Sequence, residues 1–191
     1  MAEFYMAYEM THINEMGYSR HPSDRGGETY NGIARNRWPD WPGWKVIDKY
    51  LIEGGSVDNI SKDCPSLLAL EHDFYRFNFW NKIFGDSIPK QAIANEVYDS
   101  AVNLGVQRAG EYLQIALNCL NRRGTLYEDL FVDGWIGTRT IAALNRYLLK
   151  DKPELLLKLL NCQQGCWYMT LMRNDERQED FARGWFSRVG L

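Results

Sequence analysis

Apolar residues recur along this chain mostly at three- and four-residue intervals, the period of an α-helix, and almost nowhere in alternation. Between residues 2 and 15 they form two stripes, Phe4-Ala7-Tyr8 and Met6-Met10-Ile13, which predict a helix buried on two faces, with Glu15 at its end and Gly17 as its stop. A second helix is predicted over 44–53, closed by Gly54-Gly55. Asp63 and Ser66 offer caps around Pro65 for a longer one, with Leu67, Leu70, Phe74 and Phe77 as its inward stripe and Tyr75, Asn78 and Trp80 on its other faces. Past Pro89, Ile93, Val97, Ala101 and Leu104 stand at core spacing up to Gly105, and Leu113, Ala116, Leu117 and Leu120 define the next helix, stopped at Gly124. Thr138 caps a helix turning Ile141, Leu144, Asn145 and Leu148 inward. Pro153 opens the last long one, through Leu156, Leu160, Trp167 and Leu171. Trp185-Phe186 form an aromatic cluster in the tail. The fold class that follows is mainly α, with at most a small β-hairpin over residues 29–34.

Two stretches break the helical rhythm. Residues 15–33 hold four glycines together with Glu15, Asp24, Glu28 and Thr29, too many turn formers for a helix and enough carboxylates for a reactive loop. Residues 38–44, Trp-Pro-Asp-Trp-Pro-Gly-Trp, are held in extended or turn geometry by two prolines, and either floor a sugar groove or plug the space between two helices.

Composition narrows the class. Of 191 residues, 45% are hydrophobic and 25% charged, an ordinary soluble balance, but 14% are aromatic, which suits either core packing or a groove for flat ligands. A net charge of -3 without any basic block argues against nucleic acid. Arg20, Arg25, Arg35 and Arg37 cluster around the reactive stretch, either as attraction for an anionic substrate or as solvated surface. Cys64, Cys119, Cys162 and Cys166 contain no Cys-x-x-Cys pair and have no histidine at ligand spacing, so free thiols, no metal and no cofactor are expected. The first residues lack the charge pattern and apolar core of a signal peptide, and no window reaches transmembrane length. Synthesis in the cytoplasm without membrane insertion is the expectation, with any work outside it requiring an export partner.

Glycosidic cleavage needs an acid to protonate the leaving oxygen and, usually, a second carboxylate. Glu15, at a helix C-terminus facing the negative pole of the dipole, suits the acid; Asp24, in a polar loop, suits the ionised partner; the Thr29 hydroxyl can orient water. The alternative is that Glu15 ends a helix, Asp24 pins the Gly26-Gly27 turn and Thr29 is an ordinary loop residue. A Gly-x-Ser-x-Gly elbow, a phosphate-binding glycine fingerprint and a His-Glu-x-x-His motif are all missing.

Glu15-Met16-Gly17-Tyr18 followed by residues 22–33, Pro-Ser-Asp-Arg-Gly-Gly-Glu-Thr-Tyr-Asn-Gly-Ile, resembles the signature of glycoside hydrolase family 108, N-acetylmuramidases of bacteria and phages, some of them called secretion activator proteins. Tyr75-Arg76 through Trp80 resembles a further motif of that family. Residues 99–105, residues 133–140 (Asp-Gly-Trp-Ile-Gly-Thr-Arg-Thr) and Arg183-Gly184-Trp185 resemble its associated peptidoglycan-binding region. Departures are Met16 for a glycine, Arg25 for a proline, His21 for an aspartate, and Tyr30-Asn31 in inverted order. The resemblance implies a lysozyme-like helical fold, with a catalytic region over residues 1–96 and a peptidoglycan-binding helical region over residues 97–191, packed into one compact body. It implies Glu15 as general acid with Asp24 and Thr29, and Tyr30, Asn31, Trp80, Asn103, Asp133 and Trp135 as substrate contacts. Bacterial peptidoglycan is the implied partner, with a holin or other export partner and action at the cell wall or periplasm after release. A non-catalytic wall-binding or secretion-assisting protein, and a one-acid lytic transglycosylase, are the competing readings.

Overall fold

The computed structural model describes residues 1–12, 17–20 and 27–190, and these divide into two compact units, residues 8–78 and residues 1–7 with 79 onward. Helix α1 (Phe4–His12) runs through the first boundary.

The unit of residues 8–78 is built around a three-stranded antiparallel sheet, β1 (Tyr18–Arg20), β2 (Glu28–Tyr30) and β3 (Ile33–Ala34), in the order β1-β2-β3. The expected hairpin is β2-β3: Tyr30 pairs with Ile33 across Asn31 and Gly32, whose φ angles of 43° and 79° make a type I′ turn, the two-residue turn that Asn-Gly favours. The added strand β1 sets Tyr18 opposite Tyr30 and Ser19 opposite Thr29. Three helices complete the unit, α2 (Gly43–Ile52), the short α3 (Ile60–Asp63) and α4 (Ser66–Tyr75). Gly43 is required where it stands, because a Cβ there would lie 2.2 Å from the Trp41 ring.

The inward face of α4 differs from the expected stripe. Leu67, Glu71, Phe74 and Tyr75 are buried, whereas Phe77 is 65% exposed. After Tyr75 the chain takes a π-helical turn, Arg76–Trp80, and its wider winding moves the following side chains off the face that a continuous α-helix would have given them.

In the other unit, Phe4 meets Trp80 and Tyr98 edge to face, with ring centroids 5.9 and 6.0 Å away. Helix α5 (Gln91–Leu104) packs on α6 (Val106–Cys119) and α8 (Pro153–Asn174), and α7 (Thr138–Leu148) packs on α6. Gly105 alone separates α5 from α6; at φ 94° and ψ 148° it reverses the chain in one residue. The buried face of α7 is Thr140, Ala143, Leu144 and Tyr147, shifted from the expected one, and α6 ends at Cys119, short of Gly124. On α8 the stripe Leu156, Leu160, Gln164, Tyr168 carries a buried amide, whose Nε2 donates to Asp99 Oδ2 at 2.8 Å. Trp167, expected inside, lies half-exposed under the Arg108 guanidinium, 3.6 Å from its ring centroid. Helix α9 (Ala182–Phe186) brings Trp185 to stack on Tyr168 at 4.9 Å. Among the described residues no helix is long and apolar enough to cross a membrane.

Candidate active site and wall-binding surface

Glu15 and Asp24 lie outside the described residues; the strands between which Asp24 falls in sequence, and the turn opposite them, are described in detail. Asn31, at the apex of the β2-β3 turn, is bonded through every polar group it owns. Its amide N–H donates to Gly17 O at 3.0 Å, and its Oδ1 accepts from Gly17 N–H at 2.6 Å. Its Nδ2 donates to Glu71 Oε2 at 2.7 Å, and its carbonyl accepts from Tyr75 Oη at 2.8 Å. Gly17, two residues past Glu15 in sequence, is thereby tied to α4 through one side chain.

Glu71 is 2% exposed and accepts from Tyr8 Oη as well as from Asn31. Burial pushes its carboxyl above the usual glutamate range, against the two hydrogen bonds and His72, which favour the ionised form. Around it the aromatic rings close ranks: His12 stacks on Tyr8 at 4.2 Å and meets Tyr75 edge on at 4.2 Å, while His12 Nδ1–H donates to Tyr8 O at 3.0 Å.

A second network braces the far side of the sheet. Tyr18 Oη donates to Glu28 Oε1 at 2.5 Å, and Arg35 lies 2.7 Å from both Glu28 Oε2 and Asp48 Oδ1. The same guanidinium sits 4.5 Å from the Trp44 ring centroid. Arg35 is thus consumed in fixing β2 and β3 to α2 rather than offered to an anion.

The site residues named from sequence fall in both units. Thr29 is half-buried in the middle of β2; Tyr30 is buried, 3.2 Å from Ser61 Oγ and stacked on Trp41 at 5.8 Å. Thr29, Tyr30 and Asn31 therefore stand together. In the other unit Trp80 is fully buried and donates Nε1–H to Asp86 at 2.8 Å, a packing position with no indole face left for a ligand. Asn103, on α5, turns its Nδ2 back to Asp99 at 2.9 and 3.0 Å.

Asp133 and Trp135 belong to an irregular stretch between α6 and α7 that is held by three amide side chains, two on α6 and one just past it, spaced i, i+4 and i+7. Buried Gln114 accepts from the N–H groups of Asp133 (3.1 Å) and Gly134 (2.9 Å) and donates to Asp133 Oδ1 (2.8 Å) and Trp135 O (3.1 Å). Asn118 exchanges two 2.8 Å bonds with the Leu130 backbone, and the residue just past α6, Asn121, does the same with Tyr127 at 2.6 and 3.1 Å. The loop touches α6 so closely that a Cβ on Gly110 would lie 2.0 Å from Gly134 O. Hydrogen bonds from Gln114 and from the Trp135 N–H hold the Asp133 carboxyl below its ordinary range, so it stays ionised. This arrangement leaves Phe131 84% and Trp135 66% exposed beside a groove of about 630 Å³, where Arg139 and Arg146 also stand.

Comparison with known proteins accords with both regions. The model of the family described as glycosyl hydrolase 108 matches residues 8–105. The chain belongs to that family. A model described as a predicted peptidoglycan domain matches residues 107–190, so the break between the two matches falls at the α5-α6 reversal. Among solved structures, that of SagA from Brucella abortus is similar over 97% of this chain and 88% of its own, at 27% identity and a TM-score of 0.60. No curated protein sequence matches significantly. As a glycosyl hydrolase 108 member with a peptidoglycan domain, the protein has the role of a peptidoglycan hydrolase, on a mainly α, lysozyme-like fold.

What residue-by-residue reading missed in this family member are the supports. Glu71 was visible as a carboxylate at i+4 from Leu67 and i−3 from Phe74, inside an apolar stripe. Gln114, Asn118 and Asn121 were visible as amides spaced along one helical face.

Proposed function

We propose that the protein is an N-acetylmuramidase that hydrolyses the β-1,4 bond between N-acetylmuramic acid and N-acetylglucosamine. Glu15 protonates the departing oxygen, Asp24 stabilises the developing charge or positions water, and the Thr29 hydroxyl assists. Family membership supports the reaction class. The observation that carries the reading is local: Gly17 is bonded in both directions to Asn31, and Arg20 and Glu28, which bracket Asp24 in sequence, are register partners in the sheet. A reacting pair needs fixed supports, because a small misplacement forfeits much of the rate.

Phe131 and Trp135, exposed on a loop braced by buried Gln114, supply the wall-binding surface, with Asp133 ionised beside them. The enzyme works at the cell wall or periplasm after release from the cytoplasm, through a holin or another export partner.

Incubation of the purified protein with bacterial cell walls tests the reading. Soluble muropeptides with new reducing ends and an added water are expected, and Glu15→Gln is expected to abolish them. Products ending in a 1,6-anhydro sugar would instead mark a lytic transglycosylase, and binding without release would mark a wall-binding protein.

A further inference from the structure

The Trp-rich loop resolves into two roles by residue. Trp41 and Trp44 are buried and spend their indole N–H groups on Leu70 O (3.2 Å) and Trp38 O (2.8 Å), which locks the loop against α4. Trp38 is different. It is half-buried, edge-on to Phe74 at 5.0 Å, and its indole N–H meets no hydrogen-bond acceptor among the described residues. It lines a groove of about 540 Å³, within the range of small-ligand sites, which Phe77 and Asp73 also line.

Polar groups of both signs line this groove, and the Arg37 guanidinium lies 6.0 Å from the Trp38 ring centroid. Asp40 and Asp73 are exposed carboxylates without an ion pair among the described residues, and Asn78 donates Nδ2–H to Phe74 O at 2.8 Å while its own carbonyl oxygen stays available. Aromatic rings flanked by two carboxylates, a guanidinium and one indole donor suit a pyranose ring: its C–H face packs on the rings, and its hydroxyls donate to the carboxylates and accept from the Arg37 and Trp38 N–H groups. A phosphate-bearing ligand meets two carboxylates, Asp40 and Asp73, against the single guanidinium of Arg37, and an amphipathic peptide helix would want an apolar wall that these charges interrupt.

We propose that this groove is a saccharide subsite taking an N-acetylhexosamine residue of a glycan strand. The acetamide contributes an apolar methyl for the rings and a carbonyl for the Trp38 N–H. The inference rests on the hydrolase reading only for the source of the sugar.

The test is a titration of the ¹⁵N-labelled full chain with tri-N-acetylchitotriose. The Trp38 indole N–H resonance is expected to shift, Trp38→Ala to raise Kd at least tenfold, and Trp38→Phe, which keeps a flat ring without the N–H, to fall between; circular dichroism checks that each variant folds. Shifts confined to other residues, or equal Kd for Trp38→Ala and parent, overturn the proposal. The two readings fail separately. A parent that releases no reducing ends while Trp38 still responds leaves the subsite standing, whereas Glu15→Gln abolishing hydrolysis while Trp38 stays silent removes the subsite alone.

Discussion

The turn at Asn31 and the loop over α6 both fix an irregular stretch onto a helix through an amide side chain, but with opposite polarity. At the turn, the amide sits in the loop and grips a buried carboxylate, Glu71, on the helix. Over α6, the amide sits on the helix and grips loop backbone, and the nearby carboxylate, Asp133, faces water. The first arrangement buries an ionisable group inside an aromatic shell and gives a rigid support whose strength depends on protonation. The second grips backbone groups and one ionised carboxylate at the surface, Asp133, and presents rings outward, as a binding surface requires.

Removing each anchor tests the contrast. Glu71→Ala leaves Tyr8 Oη and Asn31 Nδ2 without their acceptor and opens a cavity, so a loss of about 3–5 kcal/mol is expected in urea unfolding. An unchanged midpoint would mean that the turn is held by something else. Gln114→Ala strands two backbone N–H groups beside a half-open loop and should cost about 2–3 kcal/mol, with cell-wall pull-down falling more than cleavage of soluble glycan. Equal losses in both assays would deny the division of labour. Gly110→Ala drives a methyl into Gly134 O and should destabilise by about 1–3 kcal/mol, read as a lowered Tm.

The smallest effect separates burial of charge from location in the fold. Glu96 lies outside both networks, and its carboxyl is pushed up to about 8, first by burial and then by Asp99, against the hydrogen bond from Asn161. A raised acid favours the neutral form in the folded state. Its contribution to stability is therefore complete below the ordinary value of 4.5 and is lost as pH rises toward about 8. Glu96→Gln should flatten the decline of Tm across that window; a parallel decline in the variant would assign it to other groups.

The helices were legible because their apolar positions repeat at helical spacing, and the β2-β3 turn because Asn31-Gly32 is the residue pair a type I′ turn demands. The face of α4 was not, since the π-turn over Arg76–Trp80 has no apolar signature of its own and moves Phe77 outward. The faces of α7 and α8 were misread where polar residues take core positions: Thr140 is buried, as are Gln164 and Asn161. A hydrophobic pattern cannot reveal a buried amide whose partner, such as Asp99 for Gln164, lies 65 residues away. In the Trp-rich loop, Trp41 and Trp44 pack the interior and Trp38 lines a groove. The candidate reactive residues were legible as a motif. The bond from Asn31 to Glu71 was not, because it joins positions 40 residues apart.

The central claim is that this chain cleaves glycan with the carboxyl at position 15. Reducing-end release from purified cell walls by the parent and by Glu15→Gln, matched for fold and concentration, tests it most directly. The account predicts a loss of about 10²–10⁴-fold, the range for removing a positioned acid; equal rates from the two proteins would contradict it.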